Sequence, residues 1–242
     1  MEFITKKLNF SNQTIKEMKV NSKNFYNLIK NRRSVRNFKK NSMLSERVLY
    51  PISKNEQHGI EDVRWTKFLN SDSTSTYYGL YTAYNGTKIT PKILQTNDFK
   101  IFTSKTLTGK SAKDKNLALF PRKINGQYAM ISRTDGVNIH LMYSKDLFHW
   151  SSTKKIQLAS EVWELTQTGN CGPPIETKHG WLLLTHGVGP MRKYAIGIEL
   201  LDLENPQKII GKLKEPLLSP NENERNGYVP NVVYSCGSIV HN

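Results

Sequence analysis

From Val48 onward, apolar and polar positions alternate in short runs rich in Tyr, Thr, Ile and Val, separated by Asn-Gly, Asp-Gly and Asn-Asp pairs. Alternation with a period of two predicts strands with one buried face, and these dipeptides predict the tight turns between them. Helical periodicity nearly disappears. Three runs resemble one another: Thr76 to Gly86 (TYYGLYTAYNG), Gly126 to Gly136 (GQYAMISRTDG) and Gly180 to Gly189 (GWLLLTHGVG). Each sets an aromatic just after the strand start and a turn glycine at its end. Each continues into a second strand, KITPKILQT, VNIHLMYS or KYAIGIELLD, and the later two then reach a polar closing segment, KDLFHW or DLENP. Tyr78 to Tyr128 is 50 positions and Tyr128 to Trp181 is 53. A period near 50 in antiparallel strands predicts the blades of a β-propeller. A β-sandwich would give the turns without the long repeat and ranks second. Residues 1–42 differ: their apolar positions, Phe25, Leu28 and Ile29 among them, have only weak helical spacing and predict a partly helical arm.

The stretch from Trp163 to Gly189 breaks its own pattern. Glu164, Glu176 and His186 stand where a core strand would carry Val or Leu, around a Gly-Asn-Cys-Gly-Pro-Pro turn. Pro173 and Pro174 cannot donate to a sheet ladder, so the turn belongs at a strand end, where side chains can face a cavity. A hairpin whose polar residues merely face water fits this stretch equally well.

Composition adds a soluble, globular character: 37% of the 242 residues are hydrophobic and 10% aromatic, enough for a real core. No run approaches the roughly 18 apolar residues of a membrane helix, and MEFITKKLNFSN lacks the apolar centre of a secretory signal, so a cytoplasmic protein without membrane contact is expected. Cys171 and Cys236, without a CxxC partner, predict buried free thiols and no metal site. The net charge of +15 is uneven, with 12 Lys/Arg against 3 Asp/Glu in residues 1–50. The segment KNRRSVRNFKK (Lys30 to Lys40) could bind phosphate backbones, but no nucleic-acid motif accompanies it. A solvated arm that packs on the propeller or on a neighbouring subunit of a homo-oligomer is the preferred expectation, with no nucleic-acid partner.

In each repeat an unusual polar group falls near the first strand: Glu61-Asp62-Val63-Arg64, then Asn116 and Arg133, then Glu176 and His186. Carboxylates, arginines and a histidine at equivalent blade ends fit a polar pocket of sugar size. Inverting cleavage of a glycoside needs one carboxylic acid for the leaving oxygen and one carboxylate to activate water, and both types are present.

The segments GIEDVR, ALFPRKINGQYAMISR, SKDLFHW, GNCGPPIET, GWLLLTHGV, YAIGIELLDLENP and GYVPNVVYSCG, in this order and spacing, closely resemble glycoside hydrolase family 130. The family contains mannoside phosphorylases and β-1,2-mannosidases on a five-bladed propeller. The resemblance runs from about Val48 to the last residue, and implies a propeller domain over 43–242 behind the arm of 1–42. It makes Asp62 the general acid, acting in the phosphorylases through a hydroxyl of the bound mannose. An ion pair with Arg64 is the bland alternative for Asp62. The resemblance also places Asn116, Arg133, His186 and Tyr194 along the sugar and phosphate subsites. Arg64, Asp135 and Glu176 complete the candidate substrate-binding set, with Lys115, Arg133 and His186 as candidate phosphate ligands and no cofactor beyond inorganic phosphate as co-substrate.

The sequence departs from the phosphorylase pattern where a basic residue precedes the Gly-Pro-Pro turn: Gln167 and Thr168 stand there, and Lys115 replaces a common arginine. Losing a cation weakens a phosphate site, which favours water as acceptor and hence hydrolysis. The base is then Glu164 or Glu224, with Glu176 and Glu222 behind them. The expected activity is inverting hydrolysis of β-mannosidic bonds in short manno-oligosaccharides; the alternatives are a phosphate-dependent phosphorylase and a non-catalytic sugar-binding propeller. The chain also stops before the last blade of the family, which predicts an open ring with an exposed strand edge over Val229 to Val240 and, with it, low stability or association.

Overall fold

A computed structural model describes residues 49–226 and 229–240; the arm of 1–42 lies outside them. Three antiparallel sheets follow one another along the chain. The first holds β1 (Ile60–Leu69), β2 (Ser75–Tyr84), β3 (Ile89–Thr96) and β4 (Thr103–Thr106). The second holds β5 (Ala118–Leu119), β6 (Tyr128–Ser132), β7 (His140–Ser144) and β8 (Lys154–Lys155). In the third, β9 (Gln167–Asn170) and β10 (Ile175–Thr177) both pair with β11 (Gly180–Val188), which pairs with β12 (Tyr194–Leu201) and then β13 (Ile209–Lys212). Each sheet is a simple meander, as expected of propeller blades, and the three similar runs of the sequence are the second strands β2, β6 and β11.

The second sheet shows how alternation builds the molecule. Met130 and Met142 face one side and join Phe68, Tyr78, Leu80 and Ile93 of the first sheet around Trp150. Ala129, Ile131 and Leu141 face the other side and join Trp181, Leu183 and Leu201 of the third. Successive side chains thus feed two separate cores. Trp150 and Trp181 are fully buried, and each indole N–H finds a carbonyl at 2.9 Å, on Leu147 and Leu203. Burying a side chain of this size contributes about 1.5–3 kcal/mol, more than its single polar atom costs once bonded.

The first strands of the sheets meet one another. Thr66 of β1 donates to the Leu119 carbonyl of β5 at 2.9 Å, and Arg64 reaches Asn170 of β9. The Gly-Pro-Pro turn does not join two antiparallel partners. It interrupts a single line of strand, with the Cys171 N–H still bonded to Leu184 O at 2.8 Å, because the prolines that follow cannot continue the ladder. The strand expected over Val229 to Val240 is not formed: this segment is irregular, and a single bridge ties Val232 to Tyr194. Among the described residues no helix is long and apolar enough to cross a membrane.

Candidate active site

The register of β1 against β2 shifts between Glu61 and Arg64, and Asp62 sits in that irregularity with φ of +57°. A bulge re-aims the side chains around it, and a non-glycine residue in this conformation costs on the order of 1 kcal/mol or more, retained where its surroundings require it. Here the bulge turns the Asp62 carboxylate toward the 229–240 segment. Tyr234 Oη donates to Asp62 Oδ2 at 2.9 Å, while Arg64 Nη1 donates to the Asp62 carbonyl at 2.9 Å.

Arg64 is 1% exposed. A guanidinium so buried needs a partner at each nitrogen, and it has one: besides the Nη1 bond, Nε donates to Asn170 Oδ1 at 3.0 Å and Nη2 to Tyr234 Oη at 2.7 Å. The distance from Nη2 to Asp62 Oδ2 is 3.9 Å, so Tyr234 stands between cation and carboxylate as the hydrogen-bonding link. Burial pushes the Tyr234 phenol well above its usual range, which keeps it a donor.

Asn170 is held in turn by Asn116, through Asn170 Nδ2 to Asn116 O at 2.6 Å and Asn116 Nδ2 to Asn170 O at 3.3 Å. Gly169 makes room for this arrangement. A Cβ there would lie 2.6 Å from His186 Cε1 and 2.7 Å from Asn116 Nδ2. His186 is buried, stacks near-parallel on Tyr194 with centroids 6.1 Å apart, and meets Tyr234 edge-on at 4.9 Å. Burial, then the positive charges of Arg133 and Arg64, pushes its pKa down to about 3, so the ring is neutral at ordinary pH. Arg133 is itself buried and anchored on Asp114 Oδ2 at 3.3 Å.

Six of the residues singled out in the sequence are thus brought together: Asp62, Arg64, Asn116, Arg133, His186 and Tyr194. Lys115 lies at the rim, paired with Glu61, and these two with His58, Thr82 and Tyr84 line a cavity of about 400 Å³. Two residues were missed. Tyr234 and Cys236 sit against Asp62, and the only sequence signal for them was their place in GYVPNVVYSCG. Both cysteines are free; burial pushes Cys171 up to about 12 and Cys236 up to about 11, so neither is a thiolate nucleophile.

Other candidates are bound elsewhere. Glu164 ends a 3-10 turn (Val162–Glu164), where its carboxylate accepts from the N–H groups of Ser160 and Glu161 at 2.8 and 3.2 Å and pairs with Lys212 of β13. None of these partners belongs to the Asp62 cluster. Glu176 is the exposed middle residue of β10, in a bidentate pair with Arg122 at 2.7 and 2.9 Å. Asp135 closes the β6–β7 turn by accepting from the Val137 and Asn138 N–H groups and from Lys155 at 3.0 Å; although burial opposes it, these bonds hold its carboxyl well below the usual range. Glu222 is exposed in a 3-10 turn that also carries Glu224, whose side chain lies outside the described residues. Gln167 donates to Gly136 O at 2.6 Å and Thr168 to Val137 O at 3.2 Å, so both serve the contact between sheets. Among the described residues no group of three or more His, Cys, Asp or Glu could hold a metal.

The chain matches the family model described as beta-1,4-mannooligosaccharide phosphorylase over residues 7–242, which begins well before Val48. A 1,2-beta-oligomannan phosphorylase of Thermoanaerobacter sp. (strain X514) is 37% identical over 81% of this chain and 66% of its own length. A Beta-1,4-mannooligosaccharide phosphorylase of Ruminococcus albus is 32% identical over 75% of this chain and 53% of its own. The structure of Beta-1,2-Mannobiose phosphorylase from Listeria innocua superposes with a TM-score of 0.70 at 29% identity, covering 80% of this chain and 55% of that one. The chain thus spans between about half and two thirds of the length of these relatives.

Proposed function

Because the chain belongs to glycoside hydrolase family 130, we propose that it acts on β-linked manno-oligosaccharides as an inverting phosphorylase, with inorganic phosphate as co-substrate. Two observations support this reading over hydrolysis: the relatives named above are phosphorylases, and Glu164, one of the two candidate bases, is engaged elsewhere. A hydrolase needs a carboxylate to activate water on the face opposite the acid, and Glu164 is instead fixed by Lys212 and by the backbone of its own turn. Phosphate needs no such base. It needs positive charge, and Arg64 and Arg133 supply it around a neutral His186, with Lys115 at the rim.

In this reading a phosphate oxygen attacks the anomeric carbon from the side opposite the leaving oxygen. The glycosidic bond breaks with inversion, and the proton that leaves from Asp62, passed through a hydroxyl of the bound mannose, ends on the leaving oxygen. The products are mannose 1-phosphate and a chain one sugar shorter.

Gln167 and Thr168, which cannot supply a cation, favour water as acceptor and keep hydrolysis as the second reading. Incubating the protein with β-1,2-mannobiose, with and without phosphate, separates the two. Mannose 1-phosphate formed only with phosphate supports the phosphorylase; free mannose formed at the same rate without phosphate sinks it. Asp62→Asn should lower either turnover by roughly 10²-fold or more.

A further inference from the structure

Away from the Asp62 cluster, a second cavity of about 520 Å³ opens beside Trp163, with Glu161, Lys193, Lys214, Glu215 and Ser219 on its walls. We propose that it is an accessory carbohydrate site, which holds distal sugars of a manno-oligosaccharide whose other end occupies the Asp62 site. The choice of mannoside rests on the function proposed above.

Trp163 carries the argument. Its ring lies across β11 and β12 at two glycines: a Cβ on Gly187 would be 2.6 Å from Trp163 Cζ3, and one on Gly197 would be 2.5 Å from Cη2. Only glycine lets an indole lie this close to the sheet. The indole N–H is fixed as well, donating to Lys214 O at 2.9 Å. The ring is nevertheless only partly buried and lines the cavity, so a rigid aromatic surface is held at an open site. Such a surface suits the apolar face of a pyranose, and carboxylates, ammonium groups and a hydroxyl around it suit the ring hydroxyls. The volume is within the roughly 300–1,000 Å³ of small-ligand sites.

Its position connects it with the first site. Gly189, Pro190 and Lys193, which form one wall, lead directly into Tyr194, which stacks on His186. One strand start therefore contributes to both.

The test is calorimetric titration of the Asp62→Asn chain with β-1,2-mannobiose and β-1,2-mannotetraose, with and without Trp163→Ala. Tetraose should bind more tightly than biose, and Trp163→Ala should weaken tetraose about three- to tenfold while leaving biose unchanged. Because Trp163 also packs on Gly187 and Gly197, the exposed Glu215→Ala is the companion variant and should weaken tetraose in the same selective way. Equal affinities for the two sugars, or equal losses in the variants, overturn the accessory site and leave the mannoside reading standing. Failure of the Asp62→Asn chain to bind either sugar overturns the mannoside reading and, with it, the ligand assigned to this cavity.

Discussion

Tyr234 donates its phenolic hydrogen to Asp62 Oδ2 at 2.9 Å, across 172 positions of sequence. The phenolic oxygen in turn accepts from Arg64 Nη2 at 2.7 Å, so a single hydroxyl couples the candidate acid to the buried guanidinium. Tyr234 acts on the reaction through Asp62 and is a positioning residue. Tyr234→Phe removes the donor from Asp62 and the acceptor from Arg64 without changing ring packing on His186. We expect kcat to fall roughly 10- to 100-fold with KM nearly unchanged, since a misaligned catalytic group costs rate more than binding. A rise in KM alone would show that Tyr234 belongs to sugar binding instead.

Gly169→Ala tests whether the cluster tolerates displacement. The added methyl would meet both His186 and Asn116 closer than any ordinary contact, and both are buried with little room to yield. A shift of about 1 Å in such groups can cost 10²-fold in rate. Turnover should drop by that order while far-ultraviolet circular dichroism stays unchanged. Unaltered kinetics would mean that His186 and Asn116 do not need their present positions.

The blades were legible because their signal is local: an aromatic, an alternating run and a turn glycine recur about every 50 residues, and β2, β6 and β11 follow. Asp62 and Arg64 were legible through their motif. Glu164, Glu176 and Asp135 were not correctly placed, for a shared reason. A carboxylate within a strand-rich stretch looks the same whether it faces a pocket, caps a turn or pairs with an arginine. Only the partner decides, and Lys212 and Arg122 lie 48 and 54 positions away. The Asp135 turn alone had a short-range clue, since Asp-Gly-Val-Asn lets the carboxylate bond the N–H groups just ahead of it. Tyr234 could not be ranked, because its importance depends on the irregular path of 229–240.

Glu164→Gln separates structure from chemistry. The substitution keeps the shape but removes the charge opposite Lys212, so we expect a loss of about 1–3 kcal/mol in urea unfolding. Turnover of the folded protein should remain within about twofold of the wild type. Turnover abolished at unchanged stability would identify Glu164 as the base and restore hydrolysis.

Glu199 is an acid in the otherwise apolar run of β12. It is fully buried, neither carboxylate oxygen has a hydrogen-bond partner among the described residues, and the Gln157 carbonyl oxygen is likewise unpaired. The groups around it are Lys212, 3.9 Å away, and Glu164, which binds both Lys212 and the Gln157 amide at 3.4 Å. Burial, opposed by Lys212 and reinforced by Glu164, raises the pKa of Glu199 to about 7. Two carboxylates share one ammonium, so a proton on Glu199 neutralises the group. The folded chain therefore holds a proton that the unfolded chain releases near pH 4.5. Stability from this residue is fully present below that pH and is lost as pH rises toward 7, at up to about 1.4 kcal/mol per pH unit. Urea unfolding of wild type and Glu199→Gln at pH 5, 6, 7 and 8 reads this directly. The wild type should lose stability across the series relative to the variant, whose neutral amide has no proton to give up. Parallel pH dependences would show that Glu199 is ionised in the fold and that Lys212 is sufficient to hold it.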